Sequence, residues 1–283
     1  MLRDILFPAK CPVCGDTIPI ENRIGMRFET PAAGRAPGAP GPAAGANGRA
    51  GPGREAYFAG LICPQCEEAL PFVGDMRCAK CGKPLAGAAP PGLRPEALLC
   101  RDCASRERMF VRCRCLMKYG EAARELMTEI KYHGKREYTE LLAALAADRL
   151  GDWIRELSPD CLVPVPVHPK RLRTRGYNQA GEIARHLGRL TGIPVREDLL
   201  VRTRNTFAQK ELNAGQRLLN LQQAFACTGR LPQGSGILLL DDIYTTGSTM
   251  EACTERLLEA GAAAVWGLCI CGGEDICATF KKS

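Results

Sequence analysis

Long apolar runs, histidine and tryptophan are all scarce in this sequence. No stretch approaches the roughly 18 uninterrupted apolar residues of a transmembrane helix, so membrane insertion is not expected. The first residues, Met1 to Pro8, lack a long apolar core followed by a small-residue cleavage site. No signal peptide is read there, and a cytoplasmic location is expected. The phosphate-binding pattern G-x-x-x-x-G-K-[ST] is also missing. Gly82-Lys83 is followed by Pro84, and Gly134-Lys135 by Arg136, which excludes a P-loop nucleotidase.

Against 3 His and 2 Trp stand 16 Cys and a formal net charge of +7. Hydrophobic residues at 46% with 24% charged is a globular composition. A chain of 283 residues can bury a core without disulfide staples. In a reducing compartment, paired cysteines point to metal rather than to disulfides.

Eight cysteines form four C-x-x-C pairs: Cys11/Cys14, Cys63/Cys66, Cys78/Cys81 and Cys100/Cys103. The remaining eight are single or C-x-C and lie after residue 108. That split predicts a metal-binding part over 1–108 and a different domain over 109–283. Cys81 and Cys100 have 18 residues between them, a spacing that suits one tetrahedral site. Cys14 and Cys63 have 48 residues between them, but these include a tract at 31–54 in which 20 of 24 residues are Gly, Pro or Ala. Such a tract cannot bury enough apolar surface to order itself and reads as a disordered insert. Without it, 24 residues remain. The pairs therefore group as Cys11, Cys14, Cys63, Cys66 and as Cys78, Cys81, Cys100, Cys103. A zinc ribbon of this kind needs two C-x-x-C turns aimed at one ion. Gly15 and Gly82 follow the first turn of each group and allow the backbone to turn there. A redox pair needs a thioredoxin-like helix start, and catalytic zinc needs an open position that four thiolates close. Two structural zinc ions are the expectation.

After residue 108, helical and strand patterns alternate. Helices are predicted over 121–131, 139–150, 179–190 and 247–260, and strands over 161–167, 236–240 and 264–271. Apolar strands separated by helices predict an α/β domain with a mostly parallel sheet flanked by helices. Cys113, Cys115, Cys269 and Cys271 read as core.

The most specific stretch is Ile237 to Thr249, ILLLDDIYTTGST. An apolar strand leads to two carboxylates, and hydroxyl residues around a glycine then open a helix. A helix N-terminus with nearby hydroxyls suits a phosphate. Carboxylates at the end of a strand suit sugar hydroxyls or a magnesium-bound ligand. The plainer alternative is an acidic turn followed by a single N-cap. Charge is concentrated as well. Residues 168–217 hold 11 basic and 4 acidic residues, which accounts for the whole formal excess. That suits a polyanion, although Tyr177 and Phe207 are too few to signal base stacking along a single strand.

The stretch 237–249 resembles the phosphoribosyl pyrophosphate (PRPP) motif of type I phosphoribosyltransferases. The resemblance implies that Asp241 and Asp242 hold the ribose hydroxyls and that Thr245, Thr246, Gly247, Ser248 and Thr249 cradle the 5′-phosphate. A second run, Arg175-Gly176-Tyr177-Asn178-Gln179, together with the four cysteine pairs, resembles the ComF family. These are competence-associated proteins with a double zinc ribbon followed by a type I phosphoribosyltransferase-like domain. The resemblance further implies a pyrophosphate loop containing Val167, His168, Lys170 and Arg171. It implies a closing loop over 196–217 with Arg202 and Arg204 beside Asp241 and Asp242 as catalytic candidates. Two zinc ions, and magnesium with PRPP, are the implied cofactors. PRPP or pyrophosphate is the implied ligand, with a role in DNA uptake during natural transformation. A non-catalytic adaptor for single-stranded DNA, working with competence helicase and recombination proteins, is the alternative. His168 reads equally as a phosphate donor or a surface residue, and Tyr177 and Asn178 as site builders or helix packing.

Overall fold

The computed structural model describes residues 10–18, 61–89, 92, 94–203 and 224–278. The insert at 31–54 and Arg204 lie outside these residues. Packing divides the chain into two compact units, Met1–Glu67 and Glu68–Ser283. The division by motif content at residue 108 is of another kind. The second cysteine group falls in the larger packed unit.

In the first unit, the Cys11–Cys14 turn is closed by an antiparallel bridge between Lys10 and Thr17. Gly15 follows at φ +78°. Cys63 then leads into α1 (Pro64–Ala69), which carries Cys66. The second unit repeats this plan. The Cys78–Cys81 turn is closed by a bridge between Arg77 and Pro84, and Gly82 sits at φ +73°. The short strand β1 (Leu85–Ala86) follows, and Cys100 N-caps α2 (Arg101–Ser105), which carries Cys103. Each group therefore joins one C-x-x-C turn to the start of a short helix, not two turns as the spacing led us to expect. Pro64 at the first helical position favours that start in the first group.

The larger unit continues with β2 (Cys113–Lys118), α3 (Glu121–Tyr132), α4 (Tyr138–Leu157), β3 (Cys161–Pro164), α5 (Pro169–Arg175) and α6 (Gln179–Thr191). It ends with β4 (Leu200–Arg202), β5 (Phe225–Cys227), β6 (Gly236–Tyr244), α7 (Ser248–Glu259), β7 (Ala264–Gly272) and β8 (Asp275–Ile276). Four strands form one parallel sheet in the order β2-β7-β6-β3. All four predicted helices are present. Strand β2 was not among the expected strands, and β3 stops at Pro164 rather than at 167. A proline is tolerated there because β3 is an edge strand. The sheet is apolar because both faces are covered. Ile237, Leu238, Leu239 and Leu240 have no exposed surface. On α3 the buried residues are Ala123, Leu126, Met127 and Ile130, a helical stripe against the core. Cys113, Cys115, Cys269 and Cys271 are buried, as expected of packing residues.

Two local features position the site. Strand β6 does not end at Leu240 but carries the two aspartates inside it and runs to Tyr244. Its pairing with β7 continues to Tyr244 opposite Gly272, so backbone pairing outlasts the apolar run. Strand β8 pairs in parallel with β1, tying the chain's last described strand to the second cysteine group.

Candidate functional site

The turn between β6 and α7 holds an open cavity of about 190 Å³. It is lined by Asp241, Ile243, Tyr244, Thr245, Thr246, Gly247, Ser248, Thr249 and Met250. Gly247 is the N-cap of α7 at φ +78°. A Cβ at that position would collide with Tyr244 Oη. Only glycine satisfies both the left-handed backbone and the ring beneath it. Thr246 Oγ1 and Ser248 Oγ lie 2.8 Å apart. Backbone amides at the start of a helix and hydroxyls facing one concavity form a polar cradle suited to a phosphate.

The two aspartates, neighbours on an extended strand, have different surroundings. Asp241 lines the cavity and is nine-tenths buried, and its Oδ1 accepts the Asp242 amide at 2.8 Å. Burial, and then the Asp242 charge, push the Asp241 carboxyl well above the usual carboxylate range. Asp242 is held from the side. Its Oδ2 lies 2.6 Å from Lys131 Nζ and accepts Gln179 Nε2 at 2.7 Å. Burial alone would raise it, but Lys131 and Gln179 outweigh that and hold it below the usual range. The pair thus combines one carboxyl poised to keep its proton with one compensated carboxylate.

The run Arg175–Gln179 builds this support. Arg175 donates to Gln179 Oε1, while Gln179 donates to Asp242. Gly176, at φ +84°, ends α5 and lets the chain turn into α6. Tyr177 donates its hydroxyl to the carbonyl of Ile130, the residue before Lys131. Asn178 Nδ2 donates to the Val165 carbonyl at 3.0 Å, tying the start of α6 to the end of β3. Tyr177 and Asn178 thus each bond backbone beside an element of the candidate site. Lys131 is the residue that sequence reading missed. It ends an amphipathic helix, and nothing in its local pattern separates it from a solvated lysine.

The basic side is assembled more loosely. His168 N-caps α5, its Nδ1 accepting the Lys170 amide at 3.2 Å. Desolvation, and then Arg202, Arg173, Arg171 and Lys170, lower its pKa. The stretch expected to be a pyrophosphate loop is partly helical. Helix α5 begins at Pro169, so Lys170 and Arg171 sit in its first turn, and Val167 and His168 form the connection. Proline at the first helical position explains that start. Lys170 and Arg171 are exposed. Arg202, at the end of β4, lies over the Phe225 ring with its guanidinium carbon 5.3 Å from the centroid. Burial and the Arg171 charge lower its pKa, while Cys253 and Asp241 act the other way. Strands β4 and β5 pair antiparallel, so Arg202 is held on an ordered stem. Arg204 lies outside the described residues.

The two cysteine groups are each brought together. In Cys11, Cys14, Cys63, Cys66 and in Cys78, Cys81, Cys100, Cys103, all four sulfurs lie within 4.8 Å of one another. Cys14 and Cys63 sulfurs are 3.8 Å apart, and Cys81 and Cys100 sulfurs 3.6 Å. A tetrahedron of about 2.3 Å zinc–sulfur bonds has edges of about 3.8 Å, so both groups fit zinc.

Comparison with known proteins agrees with this geometry. Residues 136–275 match the phosphoribosyl transferase domain family. The chain is 28% identical to Competence protein F of Haemophilus influenzae, over 75% of this chain and 97% of that protein. It is 29% identical to Competence protein ComFC of Bacillus subtilis, over 72% of this chain and 80% of that one. It is likewise 29% identical to DNA utilization protein YhgH of Escherichia coli, over 74% and 89%. With a phosphoribosyl transferase domain match behind two four-cysteine groups and competence-protein relatives matched along most of their length, the chain is similar to the ComF family.

Proposed function

We propose that this chain binds PRPP, or pyrophosphate itself, with magnesium, and that it serves DNA uptake or utilization as its relatives' names indicate. The observation that carries the reading is the cavity at 241–250. A buried carboxyl stands beside a hydroxyl-lined helix start in which Gly247 has no possible side chain. The 5′-phosphate would sit on the amides and hydroxyls of residues 245–249. The ribose hydroxyls would meet Asp241 and Asp242, and the pyrophosphate would face Lys170, Arg171 and Arg202.

Magnesium fits the donor set. It prefers hard oxygen ligands and commonly binds through one or two carboxylates plus substrate phosphates. Asp241 offers such a carboxylate at the cavity wall once the ion displaces the proton that burial favours. When bound, the ion would neutralise pyrophosphate charge. The protein's own residues do the remaining work. Lys131 and Gln179 hold Asp242 in place, the Thr246–Ser248 cradle orients the phosphate, and the arginines stabilise charge on a departing pyrophosphate. Each cysteine group would hold a structural zinc ion.

Calorimetric titration with PRPP and with pyrophosphate, with and without magnesium, tests the reading. Magnesium-dependent binding that disappears in the Asp241→Asn/Asp242→Asn double variant is expected. Absence of binding by the folded, zinc-loaded protein overturns it. Normal transformation by that double variant in a competent host would instead favour an adaptor indifferent to PRPP.

A further inference from the structure

The segment that leaves the second cysteine group runs directly to the phosphate cradle. Cys103 lies in α2, and Arg106 and Arg108 follow it at short range. Arg106 Nη2 and Arg108 Nη2 both donate to the Thr246 carbonyl, each at 3.1 Å. The Arg108 side chain has no exposed surface, although its charge is permanent. Its Nη1 lies 3.8 Å from Glu251 Oε2 on α7. Among the described residues, its Nε and Nη1 find no hydrogen-bond partner. Only five positions of chain separate Arg108 from Cys103, and Tyr244, Cys103 and Glu251 favour its charge against the cost of burial. A neutral thiol is a poor acceptor for a buried guanidinium. A metal-bound thiolate, in a four-cysteine site of net negative charge, is a good one.

The consequence for the cradle follows from peptide planarity. In a trans peptide the carbonyl and the next amide point in opposite directions. The Thr246–Gly247 peptide is trans, as no cis bond occurs among the described residues. With its carbonyl held by two arginines, its N–H turns away from them. Gly247 would otherwise be free to rotate that peptide, because glycine tolerates either orientation. The neighbouring backbone is also fixed from this side. The Met109 amide donates to Glu251 Oε1 at 2.7 Å.

We propose that Arg108 is a positioning residue that couples the second cysteine group to the phosphate cradle. Metal bound by Cys78, Cys81, Cys100 and Cys103 holds Arg108, and Arg108 orients the Thr246–Gly247 peptide for an anion. This rests on the reading of the cavity as a phosphate site. The coupling is reciprocal: if metal tightens anion binding, the anion tightens metal retention. Loss of metal from the second group, by chelation or by oxidation of its thiolates, weakens pyrophosphate binding without any change in the residues that touch it.

The test uses the full chain loaded with zinc, and magnesium pyrophosphate as the probe. Arg108→Met is expected to keep two metal ions per chain and to bind pyrophosphate about tenfold more weakly or worse, as for loss of a charge-assisted hydrogen bond. Arg108→Lys, which keeps the charge but not the fork, is expected to recover part of the loss. The cadmium-loaded chain supplies a readout that does not need the variant to fold. Of its two thiolate-bound cadmium NMR signals, the one lost in Cys103→Ser is expected to move when pyrophosphate is added, and the other to stay. Equal binding by wild type and a metal-replete Arg108→Met overturns the coupling alone, as does a cadmium signal that pyrophosphate leaves unmoved. Wild-type protein that binds no pyrophosphate overturns the phosphate-site reading, and the coupling with it.

Discussion

Lys131 Nζ and Asp242 Oδ2 lie 2.6 Å apart, joining the last turn of α3 to the middle of the catalytic-candidate strand β6. Both side chains are largely buried, with 17% and 14% of their surface exposed. Among the described residues, Lys131 and the Gln179 amide are the groups that compensate this carboxylate. Lys131→Met is expected to destabilise the ligand-free protein by about 3 kcal/mol, because it leaves a buried carboxylate uncompensated. Urea denaturation at neutral pH measures this. An unchanged midpoint would show that the pair is dispensable for stability.

Asp241 leads to the opposite expectation for stability. Its folded pKa lies above its unfolded value, for reasons of burial first and Asp242 second. Such a group favours the folded state while it is protonated. That contribution is full below the ordinary carboxylate range and is lost as pH rises through the raised value. Asp241→Asn keeps the neutral shape and cannot ionise. The variant is expected to be more stable than wild type at neutral pH, with the difference vanishing in acid, and to lose magnesium-dependent PRPP binding. A variant that melts lower at neutral pH would contradict the assignment.

His168 provides a solution probe of the basic side. Its Nδ1 lone pair caps α5, and desolvation with four neighbouring cations lowers its pKa. A depressed histidine pKa contributes stability above the unfolded value that is lost as pH falls through the folded one. NMR titration is expected to place His168 below an ordinary histidine. Pyrophosphate bound near Lys170, Arg171 and Arg202 should raise it. If saturating magnesium pyrophosphate leaves the titration unchanged, the anion does not bind beside α5.

Gly247→Ala tests the cradle sterically. The new methyl would collide with Tyr244 Oη and lie 2.5 Å from its Cζ, on a residue at φ +78°. The ring is buried against Phe110, whose centroid is 6.4 Å away, so it has little room to move. A loss of about 3 kcal/mol or more is expected, from overpacking plus left-handed strain. Anion binding should be lost with it. Thermal melts near those of wild type would mean that the ring moves aside.

Much of the architecture was legible because its causes are local. Periodic apolar residues on α3, α4, α6 and α7 mark helices wherever they pack. The run from Ile237 to Leu240 marks a strand covered on both faces. Other features were not legible. Strand β2, with Cys-Arg-Cys at its start, carries no clear alternation, and only its place beside β7 makes it a strand. The end of β6 was misjudged because Asp241 and Asp242 look like a terminus, whereas backbone pairing with β7 continues past them.

The site divides in the same way. By itself the sequence determined the two sets of four thiols, the hydroxyl–glycine turn and the acidic pair, because each is a short spacing imposed by one turn of backbone. Tertiary structure alone decided which groups neutralise and aim them. Lys131 reaches Asp242 from 111 positions away, and Arg108 reaches the Thr246 carbonyl from 138. Such pairs leave no periodicity to read. They exist because the parallel sheet brings distant segments to one edge, where a buried charge must find a partner.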